Sequence, residues 1–395
     1  ETALKGALHT RGIVNIENSI TIKGNNKLDG MPNRGVSLSV ASGSANISGS
    51  VTLPDGNALF VKSGSLGIGG DVNMASVVYN YGKLYILGNL NVDWSKTKYI
   101  SDYDGKDDDM RMGYSLKNGQ TIGNVDAYLY IGGTNDLKFY GYVQNFGEIY
   151  SNAGMRVRGW CSMPGSAIMC DTAFINFKNA KAHFGGTVDL NSNAFYNGEN
   201  SVFDCGGDYT YGIVTINLGS FAAAGNVEMN KINVDQNKYN SAKWKNSKSM
   251  SFMNGFEKID GAEYKNATVY VGGDLKLGSS KLEGNAGSYF TMGKTYIGGD
   301  LLDYCNRANA YYATAIWAFN FSNTFIGGDC FGGAGIATGN NSIFMVGGDY
   351  QSRRSTKINI EMFSYSALDA TYYSFCDDNR SYRDEFNKDL SLIHI

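Results

Sequence analysis

The chain has 395 residues, 43% of them apolar, and its 34 basic residues nearly balance 37 acidic ones, giving a net charge of -3. This balance gives no electrostatic case for binding nucleic acid or an anionic membrane, and no run approaches the roughly 18 apolar residues of a transmembrane helix. Gly, Tyr and Phe are abundant (51, 27 and 20 residues) whereas Pro occurs 3 times, which favours strands with tight corners over helices.

A short motif recurs along the whole chain, in which an apolar residue or Cys precedes Gly-Gly-Asp. The copies end at Asp71, Asp208, Asp274, Asp300, Asp329 and Asp349. The second glycines of the early copies, Gly49, Gly70 and Gly88, are 21 and then 18 residues apart. This period is too short for helical repeats and fits one coil of a parallel β-helix, whose coils bury their apolar faces against each other.

A finer period follows in the middle of the chain, where apolar residues stand six positions apart. They are Val125, Ile131, Leu137, Val143, Ile149, Met155 and Cys161. Three steps of six make one 18-residue coil, so the pattern predicts three faces with one inward residue at the centre of each strand. We therefore predict an all-β fold, a right-handed parallel β-helix with about 18–21 residues per coil.

The predicted β-helix is a single domain over residues 1–375. We expect its strands to place five apolar residues inside: Ile131, Val271, Ile297, Ile326 and Val346. Three stretches exceed the coil length and are predicted as insertions, near 93–121, 228–265 and 302–322. Residues 376–395 are predicted to be a tail, and we expect its last six residues to be translated adaptor sequence rather than native protein.

The aspartate after each Gly-Gly pair has two interpretations. Asn89 and Asn226 replace it in two copies. An amide accepts the same hydrogen bonds without adding charge, so we predict that this Asp column caps backbone N–H groups in Asx turns. The alternative is a calcium site, because Gly-Gly-Asp is similar to half of a calcium-binding nonapeptide repeat.

A second acidic cluster lies in the first predicted insertion. It comprises Asp102, Asp104, Asp107 and Asp109. Acidic side chains around a glycine resemble a calcium loop, but the EF-hand spacing is not met. A solvated loop is the main interpretation and a weak Ca²⁺ site is the alternative. No other cofactor is expected.

Aromatic residues in the other two insertions are the candidates for ligand binding. They are Tyr311, Tyr312 and Trp317 in the third insertion and Trp244 among lysines in the second. Exposed aromatic rings stack on sugars or anchor a protein partner. The alternative is that the alternating rings Trp317, Phe319 and Phe321 fill the interior of a half-buried strand.

Cysteine and histidine give little support for catalysis. The six cysteines have spacings that match neither a zinc site nor a compact disulfide framework. Cys205 and Cys330 stand in apolar columns and are predicted to be buried thiols, with a Cys305–Cys330 or Cys161–Cys170 bridge as the alternative. The three histidines form no catalytic motif, so no catalytic residue is assigned.

Two segments carry a resemblance to known proteins. The sequences VYVGGDLKL from Val269 and CGGDYT from Cys205 resemble the repeat arrays of bacterial cell-surface β-solenoid proteins, of the adhesin and filamentous-haemagglutinin kind. The Gly-Asp-Leu turns are also similar to those of bactofilins. The resemblance implies a secreted or surface-displayed, non-catalytic adhesive rod whose loops bind a surface glycan or a protein. The alternative is a polysaccharide-active β-helix enzyme, either a lyase or a glycoside hydrolase.

Overall fold

A computed structural model describes residues 2–28, 35–54, 58–92, 114–122, 126–139, 141–159, 161–162, 171–190, 193–212, 214–229, 250–255, 266–277, 288–303, 314–318, 322–332, 335–338 and 342–352. The regular secondary structure in these ranges consists of β-strands. The described residues group into two compact units, one ending at Asp208 and the other beginning at Tyr209. No helix in the described part of the chain is long and apolar enough to cross a bilayer.

Short strands follow one another through the first unit. They are β1 (Thr2–Leu4), β2 (Leu8–Thr10), β3 (Ile13–Ile16), β4 (Ile20–Ile22), β5 (Val36–Val40), β6 (Ser44–Ile47), β7 (Val51–Leu53), β8 (Ala58–Val61), β9 (Ser65–Ile68), β10 (Val72–Met74), β11 (Val78–Asn80), β12 (Lys83–Ile86), β13 (Leu90–Val92), β14 (Tyr114–Asn118), β15 (Tyr128–Ile131), β16 (Leu137–Phe139), β17 (Tyr142–Asn145), β18 (Glu148–Ser151), β19 (Met155–Val157), β20 (Cys161–Ser162), β21 (Asp171–Asn176), β22 (Lys181–Phe184), β23 (Val188–Asp189), β24 (Ala194–Asn197) and β25 (Val202–Cys205).

The second unit continues in the same manner. Its strands are β26 (Tyr209–Tyr211), β27 (Thr215–Asn217), β28 (Ser220–Ala223), β29 (Val227–Met229), β30 (Met250–Asn254), β31 (Thr268–Val271), β32 (Leu275–Leu277), β33 (Ser288–Thr291), β34 (Lys294–Ile297), β35 (Leu301–Asp303), β36 (Thr314–Ala318), β37 (Asn323–Ile326), β38 (Cys330–Gly332), β39 (Gly335–Thr338), β40 (Ile343–Val346) and β41 (Tyr350–Ser352).

Parallel pairing between coils builds the sheets of the first unit. The chain visits three faces in turn, so that each strand pairs with the equivalent strand of the next coil. The first face orders β1-β4-β7-β10-β13, followed along the chain by β16-β19-β23. The second orders β2-β5-β8-β11-β14-β17-β21-β24, and the third β3-β6-β9-β12-β15-β18-β22-β25. This arrangement is a parallel β-helix, as the repeat period predicts.

The second unit has the same three-strand coil. Its faces order β26-β29-β32-β35-β38-β41, β27-β30-β33-β36-β39 and β28-β31-β34-β37-β40. Neighbouring strands within each face are parallel, with the register of β34 and β37 joining Ile297 to Ile326 as an example. A strand alternates its side chains between the two faces of a sheet, so every coil sends a set of apolar residues inward.

The core consists of these inward residues. Ile131, Val271, Ile297 and Ile326 are each at most 3% exposed, as predicted. Val346, in β40, is half-buried instead. The six-residue period is confirmed for five consecutive strands, β15 to β19, whose period residues are all at most 1% exposed: Ile131, Leu137, Val143, Ile149 and Met155. The parallel pattern is interrupted at Cys161, where β20 pairs antiparallel with β21.

Each of the three stretches predicted as insertions also contributes one strand of a coil. These strands are β14, β30 and β36, and all three lie in the second face of their unit. The step from one corner to the next is correspondingly long, at 46 residues from Asn89 to Asn135 and 48 from Asn226 to Asp274. The single domain over 1–375 stays a prediction, and the tail 376–395 lies outside the described residues.

A buried column of asparagines joins the coils of the second face. In the first unit it comprises Asn80, Asn118, Asn145, Asn176 and Asn197, and in the second unit Asn217 and Asn254. Each Nδ2 in the first unit donates to the Oδ1 of the next asparagine, at 2.7–2.8 Å. Asn217 donates likewise to Asn254 at 2.9 Å, and the series ends at the Oγ1 of Thr291. An amide both donates and accepts, so the same residue type can serve successive coils of the column.

Candidate functional site

The corner aspartates bond to the next coil rather than within their own turn. The Oδ1 of Asp71 accepts from the backbone N–H of Asn89 at 2.7 Å. In the second unit, Asp274 accepts from the N–H of Asp300 at 2.9 Å, and Asp300 accepts from that of Asp329 at 2.7 Å. The same role is performed by Asp329 towards Asp349, by Asn226 towards Asp274, and by Ser50 towards Asp71. These bonds form a corner column that runs from coil to coil.

The glycine before each corner residue makes room for this bond. A Cβ added at Gly328 would overlap the Oδ1 of Asp300, and one at Gly348 would overlap the Oδ1 of Asp329. The glycine and the aspartate of the Gly-Gly-Asp motif therefore work together, since the glycine of one coil leaves room for the carboxylate of the previous coil. Asp208 lies exposed at the end of the first unit, where its carbonyl accepts from the N–H of Val188 at 2.9 Å.

The calcium alternative finds no preassembled site in the described ranges. These ranges contain no group of three or more His, Cys, Asp or Glu side chains placed to hold a metal ion. Asp274 has an ammonium group beside it, because the Nζ of Lys276 is 3.2 Å from its Oδ2. The acidic cluster Asp102, Asp104, Asp107 and Asp109 lies outside the described residues, so its calcium interpretation stays a prediction.

Most of the predicted ligand-binding aromatics also lie outside the described residues. This applies to Tyr311, Tyr312 and Trp244. The backbone of Trp317 lies in β36, between the buried residues Ile316 and Ala318, and pairs with Phe290 of β33. The binding role of the four residues stays a prediction.

A row of exposed tyrosines lies instead on the third face of the first unit. Tyr85, Tyr130 and Tyr150 occupy the same outward position of β12, β15 and β18 and pair in register. Tyr85 is 36% exposed and Tyr150 is 41% exposed. The rings of Tyr130 and Tyr150 stack, with centroids 5.6 Å apart and planes 9° from parallel. We call these three residues the first aromatic row.

The equivalent face of the second unit carries a second aromatic row. Its aromatic members are Tyr270, Tyr296 and Phe325, which pair in register along β31, β34 and β37. Met345 of β40 continues the row with an apolar side chain that is not aromatic. Tyr270 is 54% exposed and Tyr296 is 41% exposed. The rings of Tyr296 and Phe325 stack at 5.3 Å and 7°. Exposed apolar side chains that are contiguous across several coils are typical of interaction surfaces rather than of inert protein surface.

A charged pair follows the first aromatic row along the same face. The Nδ1 of His183 donates to the Oδ2 of Asp204 in the next coil, and this hydrogen bond raises the pKa of His183 above its ordinary value. Lys181 and Glu148 flank the pair, 3.9 Å apart. The neighbouring thiol of Cys205 is buried, and burial raises its pKa to about 12, which favours the protonated form over the reactive thiolate.

Burial of the two cysteines in apolar columns is confirmed. Cys205 is 3% exposed and Cys330 is fully buried. The side chain of Cys161 and all of Cys170, Cys305 and Cys376 lie outside the described residues, so both proposed bridges stay predictions.

Comparisons of the chain with family models, with curated proteins and with solved structures find no match. The parallel pairing of equivalent strands in successive coils defines the fold class. The chain is a parallel β-solenoid. The resemblance to adhesins and bactofilins rests on the turn motif alone.

Sequence reasoning missed the aromatic rows because it searched the insertions. A signal was present in the strands, since Tyr130, Tyr270 and Tyr296 each stand two residues before a glycine, Tyr85 stands three before one, and all four directly precede an apolar inward residue. Alternation then places the tyrosine outside whenever its neighbour is inside.

Proposed function

We propose that the protein is a non-catalytic structural and adhesive protein of the cell surface or extracellular space, related in kind to adhesin-like solenoids, which binds a surface glycan. The observation that carries the proposal is the two aromatic rows, one on the third face of each unit. Tyrosine offers a large apolar surface and a hydroxyl group, and it loses little conformational entropy on binding.

The repetition of the rows favours a polymeric ligand. Equivalent side chains recur once per coil, so the unit presents several similar contacts along one line. Weak contacts that act together raise the total affinity well above that of any one contact. In the second unit the neighbouring outward positions carry Thr268, Lys294 and Asn323, which supply hydrogen-bonding groups beside the rings. A glycan chain, with its repeated hydroxyl groups, fits this combination.

The test is a binding assay with surface polysaccharides. Wild-type protein is mixed with a panel of insoluble and immobilised glycans, and the bound fraction is measured by sedimentation and by glycan array. We expect the double variant Tyr270→Ala with Tyr296→Ala to lose at least about tenfold in affinity for its best ligand. The matched control is Asn73→Ala with Asn91→Ala, two outward residues of the first face.

Two outcomes would contradict the proposal. The first is a wild-type protein that binds a protein partner and no glycan, because the rows would then serve a protein interface. The second is turnover, seen as release of reducing or unsaturated sugar ends from a polysaccharide panel and lost on His183→Ala or Asp208→Asn. Turnover would favour the polysaccharide-active enzyme.

A further inference from the structure

A shallow depression lies beside the first aromatic row, in the first unit. Its volume is about 490 Å³, and its lining includes Asn15, Asn46, Gly67, Tyr85 and Leu87. Binding sites for small molecules commonly occupy about 300–1,000 Å³. The size therefore suits a small cyclic ligand or one residue of a polymer.

The depression exists because the row ends at a glycine. Gly67 of β9 is the register partner of Tyr85 in β12, and Asn46 of β6 is the register partner of Gly67. On its other side Tyr85 contacts Tyr128, with ring centroids 5.5 Å apart and planes tilted by 43°. Because Gly67 has no side chain, the preceding coil leaves space beside the Tyr85 ring.

Tyr85, at the end of the row, differs from the two tyrosines that stack on each other. Tyr130 and Tyr150 lie nearly parallel and cover one face of each other. A ligand that stacks on an aromatic ring needs an accessible face rather than an edge. Tyr85 is 36% exposed and lines the depression together with Gly67, and Leu87, which is 61% exposed, adds an apolar side chain to the same lining.

The fold does not require glycine at position 67. Its backbone lies outside the left-handed region, and an added Cβ would approach only the Oδ1 of Asn46, at 2.9 Å. Asn46 is exposed and its side chain can move by the small distance needed. Gly69 in the same coil differs, because a Cβ there would overlap the carbonyl of Ser48. The backbone geometry of a corner therefore does not account for the glycine at position 67 or for the space beside it.

The polar groups of the lining disfavour an anionic ligand. The amides of Asn46 and Asn15 bond to each other at 3.2 Å and are exposed, so each keeps further donor and acceptor capacity for ligand hydroxyls. Glu17 contributes a carboxylate to the lining, and no Lys or Arg side chain is among its lining residues. A uronic acid or a phosphate would meet repulsion without compensation.

We propose that this depression is a subsite for one neutral pyranose ring of the bound glycan. The C–H face of the sugar stacks on Tyr85, and its hydroxyl groups bond to Asn46 and Asn15. This inference deepens the proposed function and rests on it, since it names where a glycan residue sits and which sugars are accepted.

The experiment uses the whole chain and four probes, namely methyl glucoside, methyl galactoside, methyl mannoside and galacturonic acid. Binding is measured by saturation-transfer NMR and by titration calorimetry with short oligomers of the best neutral sugar. We expect Gly67→Tyr, which continues the row into the depression, and Tyr85→Ala each to weaken oligomer binding at least tenfold. The matched control Asn73→Tyr, which adds a tyrosine at an exposed outward position of the first face, should stay within about threefold of the wild type because it lies outside the depression.

Controls separate this subsite from the proposed function. Thermal melting checks that Gly67→Tyr is folded, and Tyr85→Ala serves as the test if it is not. Unchanged oligomer binding in both variants, or a preference for galacturonic acid, would overturn the subsite. The proposed function would still stand in that case if the wild type binds polysaccharide. Failure of the wild type to bind any glycan would overturn both.

Discussion

At the scale of single residues, two columns of side chains tie the coils together by hydrogen bonds. The asparagine column is buried, whereas the corner column lies at half-buried or exposed turns. The difference in burial decides what each bond is worth. A buried polar group that loses its partner costs about 1–3 kcal/mol, while a typical exchangeable hydrogen bond contributes about 1 kcal/mol.

Asn145 is expected to be among the polar residues whose loss costs most stability. Its Nδ2 donates to the Oδ1 of Asn176 at 2.8 Å and to the carbonyl of Lys181 at 2.7 Å, and its Oδ1 accepts from Asn118 at 2.8 Å. Asn145→Ala leaves several buried groups without partners, so we expect a loss of about 3 kcal/mol in the free energy of unfolding. Denaturant titration measures it.

The matched control for this change is Asn46→Ala. Asn46 also bonds to an asparagine of a neighbouring coil, but at an exposed position where water replaces the lost partner. Its cost should stay below about 0.5 kcal/mol. Equal losses for the two variants would show that burial of the column does not determine its contribution.

The corner column predicts a different response at Asp300. Its Oδ1 accepts from the N–H of Asp329, and an amide oxygen accepts equally well, as Asn226 does towards Asp274. We expect Asp300→Asn to be nearly neutral and Asp300→Ala to lose about 1 kcal/mol of unfolding free energy. A melting temperature that falls by several degrees on adding a chelator, with no such effect in Asp300→Asn, would favour calcium instead.

The pKa of His183 is expected to lie above the ordinary value for histidine. Its hydrogen bond to Asp204 raises its pKa, with Glu148 adding to the rise and Lys181 and partial burial opposing it. A raised pKa in the folded state means that the pair stabilises fully below the unfolded pKa of about 6.5 and loses this effect as pH rises through the folded pKa. The contribution should not exceed about 1 kcal/mol because the pair is partly exposed.

The measurement is an NMR titration of the His183 ring protons together with melting temperatures between pH 5 and pH 9. In Asp204→Asn the histidine pKa should fall and the pH dependence should flatten. A pKa at or below about 6.5 in the wild type would contradict the prediction.

The residue scale also shows what the sequence leaves hidden. The asparagine column has a local signature, because Asn118, Asn197 and Asn254 stand directly before glycine and Asn80, Asn145 and Asn217 two positions before one. Asn-Gly also marks ordinary turns, so the pattern alone does not distinguish a buried ladder from exposed loops. Burial and strand register distinguish the buried ladder from exposed loops, and both depend on the neighbouring coils.

At the scale of the strand, inward and outward neighbours should differ strongly in their effect on stability. In β34, Ile297 is 3% exposed and its neighbour Tyr296 is 41% exposed. We expect Ile297→Ala to cost about 2–4 kcal/mol because it leaves a cavity. Tyr296→Ala should cost under about 1 kcal/mol, mainly through its lost stacking on Phe325. Denaturant unfolding of the two variants provides the comparison, and similar losses would refute the assigned orientation.

The period predicted most of the elements, and bulges explain the ones that it missed. The strands β14, β30 and β36 lie within the stretches predicted as insertions, and each pairs with a register shift, between Tyr114 and Leu116 in the case of β14. A bulge adds one residue to a strand and shifts its alternation. A search for strict periods therefore loses these strands, although their coils continue.

At the scale of the whole molecule, each described coil within a unit pairs with the coil before it and the coil after it. Stability in such a solenoid is a sum of coil terms and nearest-neighbour terms, and local opening spreads from weakly covered coils. In the chain as given, β1 to β3 have mostly exposed or half-buried side chains, whereas β15 to β18 are buried on their inner side.

Native-state hydrogen exchange tests this gradient. We expect the amides of β1 to β3 to exchange fastest and those of β15, β17 and β18 to be among the slowest in the first unit. Asn145→Ala should raise exchange mainly in its own and adjacent coils. Uniform exchange throughout the unit would show that it opens in a single step instead of coil by coil.

The asparagine column also gives the stack of coils a direction and a modular length. In the first unit the amides from Asn80 to Asn176 donate towards the C-terminal side, so their dipoles add, and the series starts at Asn80, whose buried Oδ1 has no hydrogen-bond donor. Bonds in such a chain polarise and strengthen one another. A whole coil that carries its own asparagine could be deleted or duplicated without leaving an unmatched donor between its neighbours. The number of such coils can therefore change while the interior keeps the same bonding pattern.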